Sequence, residues 1–301
     1  MEQRPKLGII GMGEAAFNIA KGLKKEGLPT ITAYDKFWNI QPQAGLITAR
    51  AAEAGVALAK SLEEMIRASD VIMSAVSANL AVPLAKEAAP YLRKGQCYVD
   101  INAASPMTKE EAAAIIAKSG AAFVDVAVMG PVPNYGHKVP ILACGSEAAA
   151  FAEAFNRFGM AITPMGETVG SASALKMFRS IFMKGFVMLL LESVIAGHRY
   201  GVEDQVLDSI EETLTEGDSL RALIPGLLGR GVIHSERREH EMDEVIATLE
   251  GLQMDHIMST ASKHKLRWCT DMKFREYFKG VPPQDLRQIL AAFDELSAQK
   301  T

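Results

Sequence analysis

Residues 7–23 read LGIIGMGEAAFNIAKGL, a short apolar run followed by glycines and alanines crowded into the turn that opens a helical stretch. Glycine weakens helices, so its concentration where one begins needs a cause. The spacing Gly11-x-Gly13-x-x-Ala16, placed between a strand and a helix, supplies one. Gly11 makes the tight turn, Gly13 lets the backbone approach a pyrophosphate, and Ala16 keeps the helix close to the sheet. The helix N-terminus then presents unpaired N–H groups and a partial positive charge to a phosphate. Gly11, Met12, Gly13, Glu14 and Ala15 are the expected cradle of a dinucleotide. A glycine-rich turn without a ligand is the competing reading.

Asp35 weighs against that bland reading. It closes the run ITAYD, about 20 residues past the glycines, where a carboxylate accepts hydrogen bonds from ribose hydroxyls and repels a 2′-phosphate. NAD is the expected cofactor, with NADP left open by Lys36 alongside. Taken alone, an aspartate after a strand is equally a turn or cap residue.

Outward from this turn, the apolar runs KLGIIG, ITAYD, VIMSAV, QCYVDIN, AAFVDVAVM, PILACG and AITPM alternate with alanine-rich amphipathic stretches. That is the rhythm of βαβ units and a mostly parallel, doubly wound α/β sheet. After about residue 168 the strand signals stop and the pattern is helical, with a break expected at IPGLLGRG. Two domains are expected, residues 1–168 binding the dinucleotide and residues 169–301 all-helical, joined by a long helix.

Composition narrows the function classes. With 49% hydrophobic and 23% charged residues the chain is not of disordered type, and a net charge of −4 gives no general field for nucleic acid or an anionic membrane. No signal-peptide pattern opens it, and the longest later apolar run, FVMLLLESVIAG, is short and carries Glu192. A cytoplasmic protein without a membrane span is expected. Cys97, Cys144 and Cys269 form neither a disulfide framework nor a zinc pattern, and HEMDE lacks the second histidine of a zincin helix. No metal site is expected.

Three segments, GIIGMGEA, DVAVMGPVPNYG and GSASALKMF, resemble the β-hydroxyacid dehydrogenase superfamily, which includes 3-hydroxyisobutyrate and 6-phosphogluconate dehydrogenases. The resemblance implies a Rossmann-like N-terminal domain, a helical substrate and dimerisation domain, and a homodimer or higher homo-oligomer. DVAVMGPVPNYG stands where the family has a substrate loop, making Met129 and Gly130 candidates there. GSASALKMF stands where it has a catalytic lysine helix, which makes Lys176 the general acid/base. A lysine takes a hydroxyl proton only when part of it is neutral; burial and a nearby cation, expected to be Arg179, depress its pKa. Ala172, Ser173, Arg179, Ser180 and Met183 share its helical face. The chain departs from the family pattern in having Ser180 for an asparagine and Met-Gly-Pro for Ser-Gly-Gly, which removes donors for a carboxylate. Asn102 falls where the family places a residue near substrate and nicotinamide, and strand-end capping explains it equally well. Val76 and Ser77 complete the expected cofactor wall.

The implied activity is NAD(P)-dependent interconversion of a small hydroxy acid, or related alcohol, and its oxo form. Reduction of a C=N bond, as in imine reductases of the same superfamily, is the enzymatic alternative, against which the lysine argues. A dinucleotide-binding sensor without turnover is the non-enzymatic one. Arg238 is a further candidate for the substrate anion. On HSERREHEMDEVIATLEGL it lies four residues before Met242, on the expected apolar side with Val245, Ile246 and Leu249, with Ser235 as N-cap. An internal ion pair is its alternative role.

Overall fold

In the computed structural model, which describes residues 4–299, the apolar runs form the strands of a single eight-stranded sheet. They are β1 (Leu7–Ile10), β2 (Ile31–Tyr34), β3 (Ala57–Leu58), β4 (Val71–Ser74), β5 (Cys97–Asp100), β6 (Ala122–Val128), β7 (Pro140–Cys144) and β8 (Ala161–Pro164). Their order is β3-β2-β1-β4-β5-β6-β7-β8. The strands from β3 to β6 are parallel, β7 is antiparallel to β6, and β8 is parallel to β7. The two-residue β3 escapes the sequence pattern because a strand that short has no period to detect.

Helices α1 (Glu14–Lys25), α2 (Gln43–Ala54), α3 (Leu62–Arg67), α4 (Ala81–Ala88), α5 (Pro106–Ala117), α6 (Val132–Tyr135) and α7 (Ala148–Asn156) connect these strands. Alternation along β1 shows how they are layered: Leu7 and Ile9 pack with Ile19, Leu23, Ile47 and Phe155 on one face. Ile10 packs with Met65, Leu84 and Ile116 on the other. Each such buried aliphatic side chain contributes roughly 1.5–3 kcal/mol. The sheet is thus wound on both faces, α1, α2 and α7 covering one and α3, α4 and α5 the other.

The strand signals end where α8 (Ser171–Tyr200) begins, and α9 (Glu203–Thr215), α10 (Leu220–Ile233), α11 (Ser235–Gly251), α12 (Ile257–Asp271), α13 (Phe274–Tyr277) and α14 (Leu286–Ala298) follow. By its contacts the chain divides into residues 1–181 and 182–301. The division falls inside α8 rather than at the expected 168/169, so the first turns of α8 belong with the sheet. In the second unit α11 and α12 lie antiparallel, held by Glu239–Arg267 and Asp243–Lys263 pairs. The Glu192 carboxylate accepts hydrogen bonds from the Met258 and Ser259 amides at 2.9 Å and from the Ser259 hydroxyl at 2.6 Å. It neutralises the positive end of α12.

The break expected at IPGLLGRG is absent: α10 runs unbroken through Pro225. Its Gly229 is required by packing instead, since a Cβ there would lie 2.1 Å from the Pro283 carbonyl oxygen.

Candidate active site

Along the carboxyl ends of β1, β2, β4, β5 and β6, the sheet opens into a cavity of about 650 Å³. β1 and β4 are neighbours there while β2 leads away in the other direction, the reversal of strand order at which doubly wound sheets bind ligands. Gly11, at φ +91°, makes the turn off β1, and a Cβ on it would sit 2.5 Å from the Ala75 carbonyl oxygen. Gly13 is the N-cap of α1 and makes no side-chain capping bond. A Cβ added to it would meet nothing within 4 Å. Steric crowding by the protein therefore accounts for Gly11 and not for Gly13. Glycine at 13 leaves open space at a helix N-terminus, which fits a pyrophosphate.

Asp35 ties this turn to β2. One carboxylate oxygen accepts from the Met12 amide at 2.8 Å and the other from the Phe37 amide at 3.0 Å. Both oxygens keep lone pairs for further donors, and Asp35 and Lys36 line the cavity. The Lys36 ammonium also stands 4.8 Å from the Phe37 ring centroid. Of the expected cradle, Met12 must be corrected: its side chain is buried in the core, and its amide is engaged by Asp35. Gly11, Gly13, Glu14 and Ala15 line the cavity with Val76, Ser77 and Asn102.

The Asn102 side chain is held on two sides, accepting from the Val76 amide at 2.6 Å and donating to the Ser74 hydroxyl at 3.0 Å. Capping and cavity lining thus coexist in one residue. Gly130 lines the cavity, but Met129 does not: its side chain packs against Ala127, Cys144 and Ala172. The loop after it folds into α6 and a 3₁₀ turn. His137 of that turn fills the space over Gly22 of α1, where a Cβ would lie 1.9 Å from Nδ1. The proline of Met-Gly-Pro is the N-cap of this short helix.

Lys176 lines the cavity and is part-buried. Burial first, and the Lys109 ammonium second, hold its amine below the ordinary lysine range. The cation is therefore Lys109 and not the expected Arg179, which is exposed and absent from the cavity wall. The Ser180 hydroxyl donates back to the Lys176 carbonyl at 2.9 Å and is likewise off the wall. Arg238 lines a different, apolar cavity of about 720 Å³ in the second unit, with Met242, Val245 and Trp268. The buried residue of that helical turn is its neighbour Glu239, which takes Arg267 in a forked pair at 2.6–2.8 Å. Ser235 is not the N-cap; His234 precedes the helix, and the Ser235 hydroxyl meets Thr270.

A family described as the NAD-binding domain of 6-phosphogluconate dehydrogenase matches residues 6–169, more than half of the chain. The chain belongs to that family. The residues present fit a nicotinamide dinucleotide: the open space over Gly13, the α1 N-terminus and the Asp35 carboxylate. A domain of unknown function matches residues 197–269. A solved protein of unknown function, described as structurally similar to 3-hydroxyacid dehydrogenases, is 34% identical, over 90% of this chain and 98% of its own, with a TM-score of 0.61. Mouse mitochondrial 3-hydroxyisobutyrate dehydrogenase is 26% identical over 70% of this chain, the match spanning 62% of that enzyme. An imine reductase variant from Myxococcus stipitatus, solved with NAD+, has the same fold at 19% identity, covering 97% of this chain and 100% of its own, with a TM-score of 0.73.

Sequence reasoning missed the buried group behind Asn102 and Lys176: Asp100, Lys109 and Asp125. The available signal was a pair of aspartates in two successive apolar strands, CYVDIN and AAFVDVAVM, which demand a buried counter-charge.

Proposed function

We propose that the chain is an NAD(P)-dependent oxidoreductase that interconverts a small hydroxy acid, or a related alcohol, and its oxo form, with Lys176 as general acid/base. The observation that carries this reading is that Lys176, a lysine with a depressed pKa, lines the same cavity as Gly13 and Asp35. In its neutral form the amine takes the hydroxyl proton; as an ammonium it returns one to a carbonyl oxygen in the reverse direction. The bound nicotinamide supplies hydride transfer. Asn102 and Gly130, which share the wall with Lys176, are the groups that position the substrate. Its class is read from the hydroxyacid dehydrogenases among the relatives.

Among the described residues, α8 is the one helix long and apolar enough to cross a membrane, and little of its most apolar stretch is buried. The Glu192 carboxylate within it caps α12, a role that belongs to a packed helical protein and not to lipid. A cytoplasmic homo-oligomer, in which a second copy covers Phe178, Ile181, Phe182 and Leu191, all exposed, accounts for this surface.

Screening 2- and 3-hydroxy acids with NAD and NADP, by the absorbance of reduced nicotinamide, tests the reading. Turnover of at least one hydroxy acid is expected. Tight NADH binding with no turnover across the panel would replace it with the sensor.

A further inference from the structure

Behind the cavity wall lies a cluster that the proposed reaction does not use directly. The Cα register places Ser74, Asp100, Asp125 and Cys144 in one row across β4, β5, β6 and β7. Lys109, on α5, reaches this row with a side chain of zero exposure. Its ammonium donates to the Asp100 carbonyl at 2.7 Å and to the Asp100 carboxylate at 3.0 Å, and it pairs with Asp125 at 3.2 Å. A lysine is almost never so completely buried unless it is paired.

Each carboxylate leads to a different residue of the cavity. Asp100 accepts from the Asn102 amide at 2.8 Å. Asp125 accepts from the Ser173 hydroxyl at 2.7 Å and the Ser173 amide at 3.2 Å, and Ser173 lies one helical turn before Lys176. The Cys144 thiol also donates to Asp125, at 3.4 Å. We propose that Lys109 is a positioning residue for the proton-transfer step, holding Asn102 and Lys176 in register through Asp100 and Asp125. This rests on the reading of Lys176 as the acid/base.

The same ammonium acts on Lys176 electrostatically, adding to burial in favouring the neutral amine. The groups that pair with Lys109 are Asp100 from β5 and Asp125 from β6, and Asp125 in turn bonds Cys144 from β7 and Ser173 from α8. The buried Tyr98 hydroxyl stands near Ser74 and Asp100. Burial pushes the Asp100 carboxyl up against the pull of Lys109. Removing the Lys109 charge takes the neighbouring cation away from Lys176, whichever charge the carboxyl groups then carry. Its pKa then rises.

The test reads Lys176 without requiring turnover. Wild type, Lys109→Met, Lys109→Arg and the double variant Lys109→Met/Asp125→Asn, which removes the Asp125 carboxylate that loses its partner in the single variant, are acylated across a pH series. Labelling at Lys176 is followed by peptide mass spectrometry, with exposed Lys94 as internal reference. Unfolding temperature and NADH affinity are measured on the same samples. In Lys109→Met and the double variant the Lys176 profile moves to higher pH, so labelling below the plateau falls. Lys94 and NADH affinity stay as in wild type, and Lys109→Arg keeps the wild-type profile. With an active substrate, kcat falls while KM stays within about threefold. An unchanged Lys176 profile in folded Lys109→Met, or in the double variant if the single one does not fold, overturns the inference. So does a folded Lys109→Arg that behaves like Lys109→Met. If no hydroxy acid is turned over but the Lys176 profile shifts as stated, the inference about Lys109 stands and the reading of the reaction fails.

Discussion

Gly11 and Gly13 are separated by one residue of sequence and by opposite physical reasons for being glycine. Gly11→Ala forces a side chain into positive φ and against the Ala75 carbonyl, so it is expected to lower the unfolding temperature. A Cβ at position 13 meets nothing within 4 Å; Gly13→Val is expected to leave thermal unfolding near wild type while abolishing NADH binding, measured by fluorescence titration. Loss of folding in Gly13→Val would make that glycine structural. Asp35→Ser is expected to improve NADP relative to NAD, read as a ratio because the lost bonds to Met12 and Phe37 weaken both. An unchanged ratio in parallel titrations would assign cofactor choice to Lys36. Since Lys176 is held below the ordinary lysine value of about 10.4, oxidation should rise with pH and level off before that value, a limb that Lys176→Met removes. The sign for stability is the same: between the two pKa values the folded state binds fewer protons than the unfolded one, so the contribution of Lys176 grows as pH rises. The glycines, Asp35 and Lys176 were legible because each sits at a fixed offset from a strand or within a short motif. Lys109 was not, because TKEEAAAIIAKSG has the pattern of a solvated helix face, and only the aspartates of the two flanking strands, β5 and β6, draw it inside.

Helix α10 shows how an element escapes its propensities. Pro225 and the glycines around it predict a break, yet the helix continues, and Gly229 is the surface onto which the Pro283 carbonyl packs. Gly229→Ala is therefore expected to destabilise the protein, whereas Gly226→Ala, whose Cβ would meet only the Arg230 side chain at 3.6 Å, should stabilise it by up to about 1 kcal/mol. Thermal unfolding of the two variants decides; equal effects would mean that propensity alone governs α10. Strands were more legible than helical detail because each buried run is bounded by turn residues and repeats with βαβ spacing. The Met-Gly-Pro loop was legible as a departure but not in its form, since its short helix is set by His137 docking on Gly22, a contact between segments far apart in sequence.

At the scale of the molecule, the order of the strands makes the site: it gathers the ends of β1, β2, β4, β5 and β6 around one cavity. The α/β class, the helical second half and the linking long helix were readable from where strand signals stop, while the point at which the chain divides lies within a continuous helix and leaves no mark in composition. The exposed apolar side of α8 predicts a homo-oligomer, so light scattering on the purified protein should give at least twice the mass of one chain, and Phe182→Glu should shift it toward the monomer. A wild-type monomer at all concentrations would contradict that.

The most direct test of the account is the Lys176→Met variant, with NADH affinity and turnover of an active hydroxy acid measured on one preparation. The account predicts wild-type NADH affinity with turnover lowered by a factor of about 100 to 10,000. A loss smaller than about tenfold, under about 1.4 kcal/mol of transition-state stabilisation, or a fall in NADH affinity that matches the fall in turnover, would contradict it.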